Sequence, residues 1–111
     1  MMEYNFDDEY ALDTQFDVKN KRLKIKFGAY YYQDKTYEKE CCLIISDWLE
    51  AKYKLCRSSN DFKCLSDDLE AILLVLDVKR VDEYTVFVVM TEDDRYLDFY
   101  FLEPCLEVEV F

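Results

Sequence analysis

The chain has no histidine, one glycine and one proline in 111 residues. Without histidine it lacks the side chain most often used as a general acid or base near neutral pH, and the commonest metal ligand. A lone Gly28 cannot build a glycine-rich phosphate loop. With so little glycine and proline there is no low-complexity linker. No apolar run approaches the roughly 20 residues of a membrane-spanning helix. The acidic first ten residues lack the basic and apolar regions of a secretory signal. The cysteines, Cys41, Cys42, Cys56, Cys64 and Cys105, are odd in number and include an adjacent pair. That is not the pattern of a disulfide framework, and without a Cys-x-x-Cys pair or any histidine no zinc set exists. They read as reduced thiols of a cytoplasmic protein. No metal or other cofactor is expected.

What is present is apolar and acidic. Apolar residues make up 51% of the chain and aromatic residues 17%, enough for a packed core and too much for disorder. The length fits a single domain, 1–111, with residues 1–10 as a loose acidic N-terminal segment. The net charge is −11. Its distribution is uneven: residues 1–18 carry no base, residues 19–64 are net basic, and residues 65–111 hold thirteen acids against three bases. Nucleic acid and anionic membranes repel such a chain, while a basic protein partner is favoured.

Residues 66–78, Ser-Asp-Asp-Leu-Glu-Ala-Ile-Leu-Leu-Val-Leu-Asp-Val, carry the clearest helical signal. Ser66 is placed to cap, Asp67, Asp68 and Glu70 suit the positive end of a helix dipole, and Leu65, Leu69, Ile72, Leu73 and Leu76 fall on one face. The remainder alternates as strands do. Residues 12–18, 22–32 and 37–46 read as a meander, with Val18 opposite Leu23, Phe16 opposite Ile25 and Phe27 opposite Cys42. Residues 52–57 form a shorter strand, and a polar loop spans 57–61. In the triple tyrosine, alternation sends Tyr31 to the core and Tyr30 and Tyr32 outward. After the helix, 84–91 and 95–102 pair with Met90 opposite Leu97 and Val88 opposite Phe99, and 106–111 returns with Phe101 opposite Val108. The expected class is α+β: an antiparallel sheet of about six or seven strands with one packed helix.

Catalysis is not expected. A cysteine nucleophile needs a positive neighbour to become thiolate, and burial in strands works against it. The paired acids Asp67-Asp68 and Asp93-Asp94 fit a helix start and a solvated turn better than an acid–base pair or a divalent-metal site. A binding surface is legible instead. The register places Phe87, Val89, Tyr96, Asp98, Tyr100, Glu107 and Glu109 on the face away from the helix, ending at the acidic turn Glu92-Asp93-Asp94. Tyrosines interleaved with carboxylates suit the reception of lysine and arginine, tyrosine supplying contact area and acid supplying steering. The partner-binding set is therefore Tyr96, Asp98, Tyr100, Glu92, Asp93, Asp94, Glu107 and Glu109.

In size, acidity and order of elements (a meander with Trp48 near its end, a helix, then three strands) the whole chain resembles the immunity proteins of bacterial polymorphic toxins, including contact-dependent growth inhibition systems. The resemblance implies a cytoplasmic, non-enzymatic protein that binds and neutralises the C-terminal domain of a cognate toxin, a basic nuclease-type domain. Two alternatives keep the acidity: an inhibitor that mimics nucleic acid and blocks a host nucleic-acid enzyme, and a general protein-interaction module. An immunity protein binds the product of the neighbouring toxin gene, whereas DNA displaces a mimic from its enzyme.

Overall fold

The computed structural model describes residues 4–6, 8–56 and 61–111. They form twelve strands: β1 (Tyr4–Asn5), β2 (Ala11–Asp17), β3 (Arg22–Phe27), β4 (Tyr30–Tyr32), β5 (Lys35–Tyr37), β6 (Cys41–Ser46), β7 (Glu50–Leu55), β8 (Lys63–Cys64), β9 (Ile72–Val81), β10 (Tyr84–Thr91), β11 (Tyr96–Leu102) and β12 (Cys105–Val110). Three antiparallel sheets result, in the orders β1-β4-β5, β8-β7-β11-β10-β9 and β12-β6-β3-β2. The helical content among these residues is one short 3-10 turn, Val18–Asn20. The α+β class is therefore corrected: the fold is all-β.

The five-stranded and four-stranded sheets pack face to face as a sandwich. Leu23, Ile25, Phe27, Cys41, Leu43 and Ile45 line one inner face, and Val75, Phe87, Val89, Leu97, Phe99 and Phe101 the other. Phe16 meets Phe99 edge-on at 6.4 Å across the gap. The small third sheet closes one end, where Phe6 stacks on Phe27 at 4.4 Å and Tyr4 on Tyr32 at 4.7 Å. The chain crosses directly between the two large sheets twice. Asp47-Trp48-Leu49 carries it from β6 to β7, with Trp48 against Phe101 at 4.9 Å. Glu103-Pro104 carries it back from β11 to β12.

The expected helix is strand β9 preceded by an irregular segment. Its deceptive spacing has a physical origin. Ile72 pairs with Thr91, Leu74 with Met90, Val75 with Val89, Asp77 with Val88 and Val78 with Phe87, so β9 carries two bulges, each inserting one residue. A bulge shifts the strand's alternation by one. The inward residues become Ile72, Val75 and Val78, three apart rather than two, which imitates a helical face. Ser66 and Asp67 do serve as acceptors, but for a turn and a neighbour: Asp68 N–H donates to Ser66 Oγ at 3.4 Å and Val18 N–H to Asp67 Oδ1 at 2.9 Å.

Five other expectations shift. The β2–β3 register moves by two, to Phe16 opposite Leu23, because the 3-10 turn and left-handed Lys21 (φ 53°) make a longer loop; the facing sides are unchanged. Phe27 faces Cys41 rather than Cys42, since Gly28-Ala29 divides the expected long strand into β3 and β4. That break also reverses the tyrosines: Tyr30 is buried and Tyr31 is exposed. Met90 faces Tyr96, so Phe87 and Val89 point into the core. Finally, β12 pairs with β6, with Val108 opposite Leu43, and not with β11. Residues 57–60 of the expected polar loop, and the end of the expected 52–57 strand, lie outside the described residues.

Where β9 starts, at the open edge of the five-stranded sheet, Thr14 of β2 closes it. Ile72 N–H donates to Thr14 Oγ1 at 3.0 Å, and the hydroxyl donates back to Ile72 C=O at 3.4 Å. Further along, Asp77 Oδ1 accepts from Val78 N–H at 2.9 Å. Side chains thus occupy edge groups that an added strand would use. The bulged strand and a helix rank the same substitutions differently. Ile72→Ala should cost roughly 2–5 kcal/mol, whereas Leu76→Ala, on the exposed side of the bulge, should cost less than about 1 kcal/mol. Urea unfolding of the two variants checks the order; equal large losses would restore the helical face.

Candidate partner-binding face

The expected site residues divide among three places. Tyr96, Asp98 and Tyr100 alternate along β11 and share the outer face of the five-stranded sheet, opposite Met90, Val88 and Val86. Glu92, Asp93 and Asp94 form the exposed turn at one end of that face. Glu107 and Glu109 sit on β12, opposite Ile44 and Cys42, on the outer side of the other sheet. Because the chain changes sheets at Pro104, these two glutamates are not part of the surface that carries Tyr96.

Asp98 is not an open anion. It is 8% exposed. Lys54, its cross-strand neighbour on β7, places Nζ 3.5 Å from Oδ2. The Cys56 thiol donates to Oδ1 at 2.7 Å. Both carboxylate oxygens are engaged within the protein. Burial, then the hydrogen bond to Asp98, pushes the Cys56 thiol up to about 11. Such a thiol is no nucleophile at neutral pH.

Tyr100 is also committed. Its ring meets Phe62 at 5.0 Å and Tyr84 at 5.7 Å, both edge-on. The Lys52 ammonium lies 4.3 Å from the Phe62 ring centre and 4.8 Å from that of Tyr84, and 3.7 Å from Glu50. The Tyr84 hydroxyl also donates to Glu50. This cation–π cluster seats Phe62 on the outer face. In the turn, Asp93 is taken up by the Thr91 hydroxyl and by Arg95 Nε at 2.6 Å. The hydroxyl first, and then Arg95, holds its carboxyl below the usual aspartate range.

Tyr96, Glu92 and Asp94 remain exposed and available. The structure adds residues that the sequence reading did not join to them. Glu92 N–H donates to Ala71 C=O at 3.0 Å, which ties the turn to the segment before β9. Asp67, Asp68 and Glu70, assigned from sequence to a helix start, are exposed in the segment that leads to Ala71, with Asp67 Oδ1 already taken by Val18 N–H after β2. Leu76, Asp77 and Val88 join Tyr96 in a groove of about 640 Å³ on the outer face. The sequence signal for these neighbours was the cross-strand register, which the bulges obscured. Among the described residues, no group of three or more cysteine and acidic side chains is arranged to hold a metal ion. No protein-family model, curated protein or solved structure matches the chain.

All five cysteines are free thiols. Burial raises Cys41 to about 11 as well, from an ordinary 9.0. For both Cys41 and Cys56 the folded state holds the proton more tightly than the unfolded state does. Their contribution is complete below pH 9 and declines as the pH rises through about 11. Thermal unfolding followed from pH 8 to 11 should show falling stability, with a shallower fall in Cys56→Ser, which keeps a hydroxyl donor for Asp98 but does not titrate there. At pH 8, iodoacetamide should label exposed Cys64 and Cys105 well before Cys41, Cys42 and Cys56.

Proposed function

We propose that this protein acts by binding a basic protein partner, as a cytoplasmic immunity protein that neutralises the C-terminal, nuclease-type domain of a cognate toxin. The observation that carries this reading is the acidic end of the five-stranded sheet. Glu92 and Asp94 are exposed there, on the turn that leads into exposed Tyr96, and exposed Asp67, Asp68 and Glu70 precede Ala71, which is bonded to that turn. Backbone hydrogen bonding holds the two acidic segments together before any partner arrives. An anionic rim around an aromatic and aliphatic patch steers a cationic protein and gives it apolar area to bury. A role without catalysis is supported by the raised thiols and by carboxylates already spent on internal bonds. Glu107 and Glu109, on the opposite side of the sandwich, take no part in this reading.

The test is binding kinetics against the protein encoded beside this one, at two salt concentrations, with co-expression to score protection from toxicity. Replacing Glu92, Asp94, Asp68 and Glu70 by serine should slow association about tenfold or more at low salt and flatten its salt dependence, with dissociation little changed. Tyr96→Ala should accelerate dissociation by an amount worth about 1–3 kcal/mol. The reading fails if the neighbouring product neither binds nor is neutralised, or if it binds with rates indifferent to these residues.

A further inference from the structure

The groove beside Tyr96 is electrostatically ordered along the strands. Tyr96 stands opposite Met90 in the row next to the acidic turn; Asp98, Val88 and Asp77 form the row behind it; Lys79 lies opposite Val86 one row further in. Asp98 is neutralised by Lys54. Asp77 has no ion pair within 4.0 Å among the described residues; its one hydrogen bond, accepted from Val78 N–H, fixes the carboxylate and leaves its charge in place. Val88 and Leu76 supply apolar walls, and Tyr96 is 52% exposed. Negative charge therefore lies toward the sheet's end and positive charge toward its middle.

We infer that this groove receives an arginine side chain of the basic partner. The inference rests on the basic-partner reading above and specifies how that surface recognises it. The methylene stem of the arginine covers Val88 and Leu76, and the guanidinium stacks on Tyr96 and pairs with Asp77. Lys79 keeps the cationic head at the outer end. A planar, weakly hydrated guanidinium serves both a ring face and a carboxylate at once, whereas a lysine ammonium is a compact and strongly hydrated point charge. The groove therefore selects arginine over lysine.

The experiment is an NMR titration of the full chain, methyl-labelled at leucine and valine, with acetyl-Gly-Arg-Gly-amide and with its lysine and citrulline counterparts. The arginine peptide should shift the Leu76 and Val88 methyls with a dissociation constant on the order of millimolar, and the neutral citrulline peptide should not. The lysine peptide should bind about two- to fivefold more weakly, the margin of the cation–π contact. Asp77→Asn keeps an oxygen for Val78 N–H while removing the charge, and Tyr96→Leu keeps apolar bulk while removing the ring; each should weaken the arginine peptide by a similar factor. Unmoved Leu76 and Val88 methyls, equal binding of lysine or citrulline, or indifference to both variants would overturn the inference. If the arginine peptide fails while the neighbouring gene product still binds through the acidic end, the groove assignment falls and the basic-partner reading stands. If the arginine peptide binds as described and the neighbouring product does not, the groove stands and the toxin reading falls.

Discussion

The packing of the four-stranded sheet against the five-stranded sheet decides where every other group points. Each sheet has one largely apolar face that must be covered. Joining those faces, with Phe16 against Phe99 and Trp48 against Phe101, removes both from water at once. The two crossings at Asp47-Trp48-Leu49 and Glu103-Pro104 follow from this: a single meander cannot supply both layers. They also determine the functional geography. Glu107 and Glu109 follow the second crossing and so belong to the far side of the molecule from Tyr96.

Strand existence was legible where alternation was regular or a short apolar run stood alone. The β2–β3 hairpin, β7 and β11 follow from apolar residues spaced by two, whereas β6 and β10 are short continuous apolar runs. The helix was not legible as a strand, because two bulges in β9 turn a period of two into a period of three at Ile72, Val75 and Val78. Register was lost in the same way at the turns. A five-residue loop from Thr91 to Arg95 in place of a four-residue one exchanges Val88 for Val89 on the core side. Tyr96, Asp98 and Tyr100 kept their common face through this error, since the period along β11 is unbroken. Their partners did not.

Scarcity of glycine explains why the turns were hard to read. Among the described residues, Asp8, Lys21, Gln33, Asp34, Asp47, Asp82, Asp94 and Glu103 take positive φ, and Gly28 does not. Aspartate tolerates the left-handed region better than most residues, because its short side chain bonds locally. Gln33 and Asp34 both adopt it between Tyr32 and Lys35, the form a two-residue hairpin requires. Many acids of this chain therefore have a conformational task. Net charge alone overstates the surface available to a partner, and a turn aspartate such as Asp94 serves both the backbone and the field.

The same separation of tasks organises the outer face of β11. Asp98 and Tyr100, the most suggestive residues of the sequence, are consumed by Lys54, Cys56, Phe62 and Tyr84. Breaking the buried Asp98–Lys54 pair by removing one partner would leave a desolvated charge, so its loss would register as instability rather than as lost recognition. On the proposed reading, recognition is left to residues that are exposed yet held in position. Tyr96 is fixed by its strand, Asp77 by the Val78 amide, and Glu92 and Asp94 by a turn bonded to Ala71. Groups ordered before binding lose less conformational entropy when a partner docks. The contacts that engage Asp98 and Tyr100 and the bonds that hold Asp77 and the acidic turn are separate sets, so a substitution can disturb one without the other.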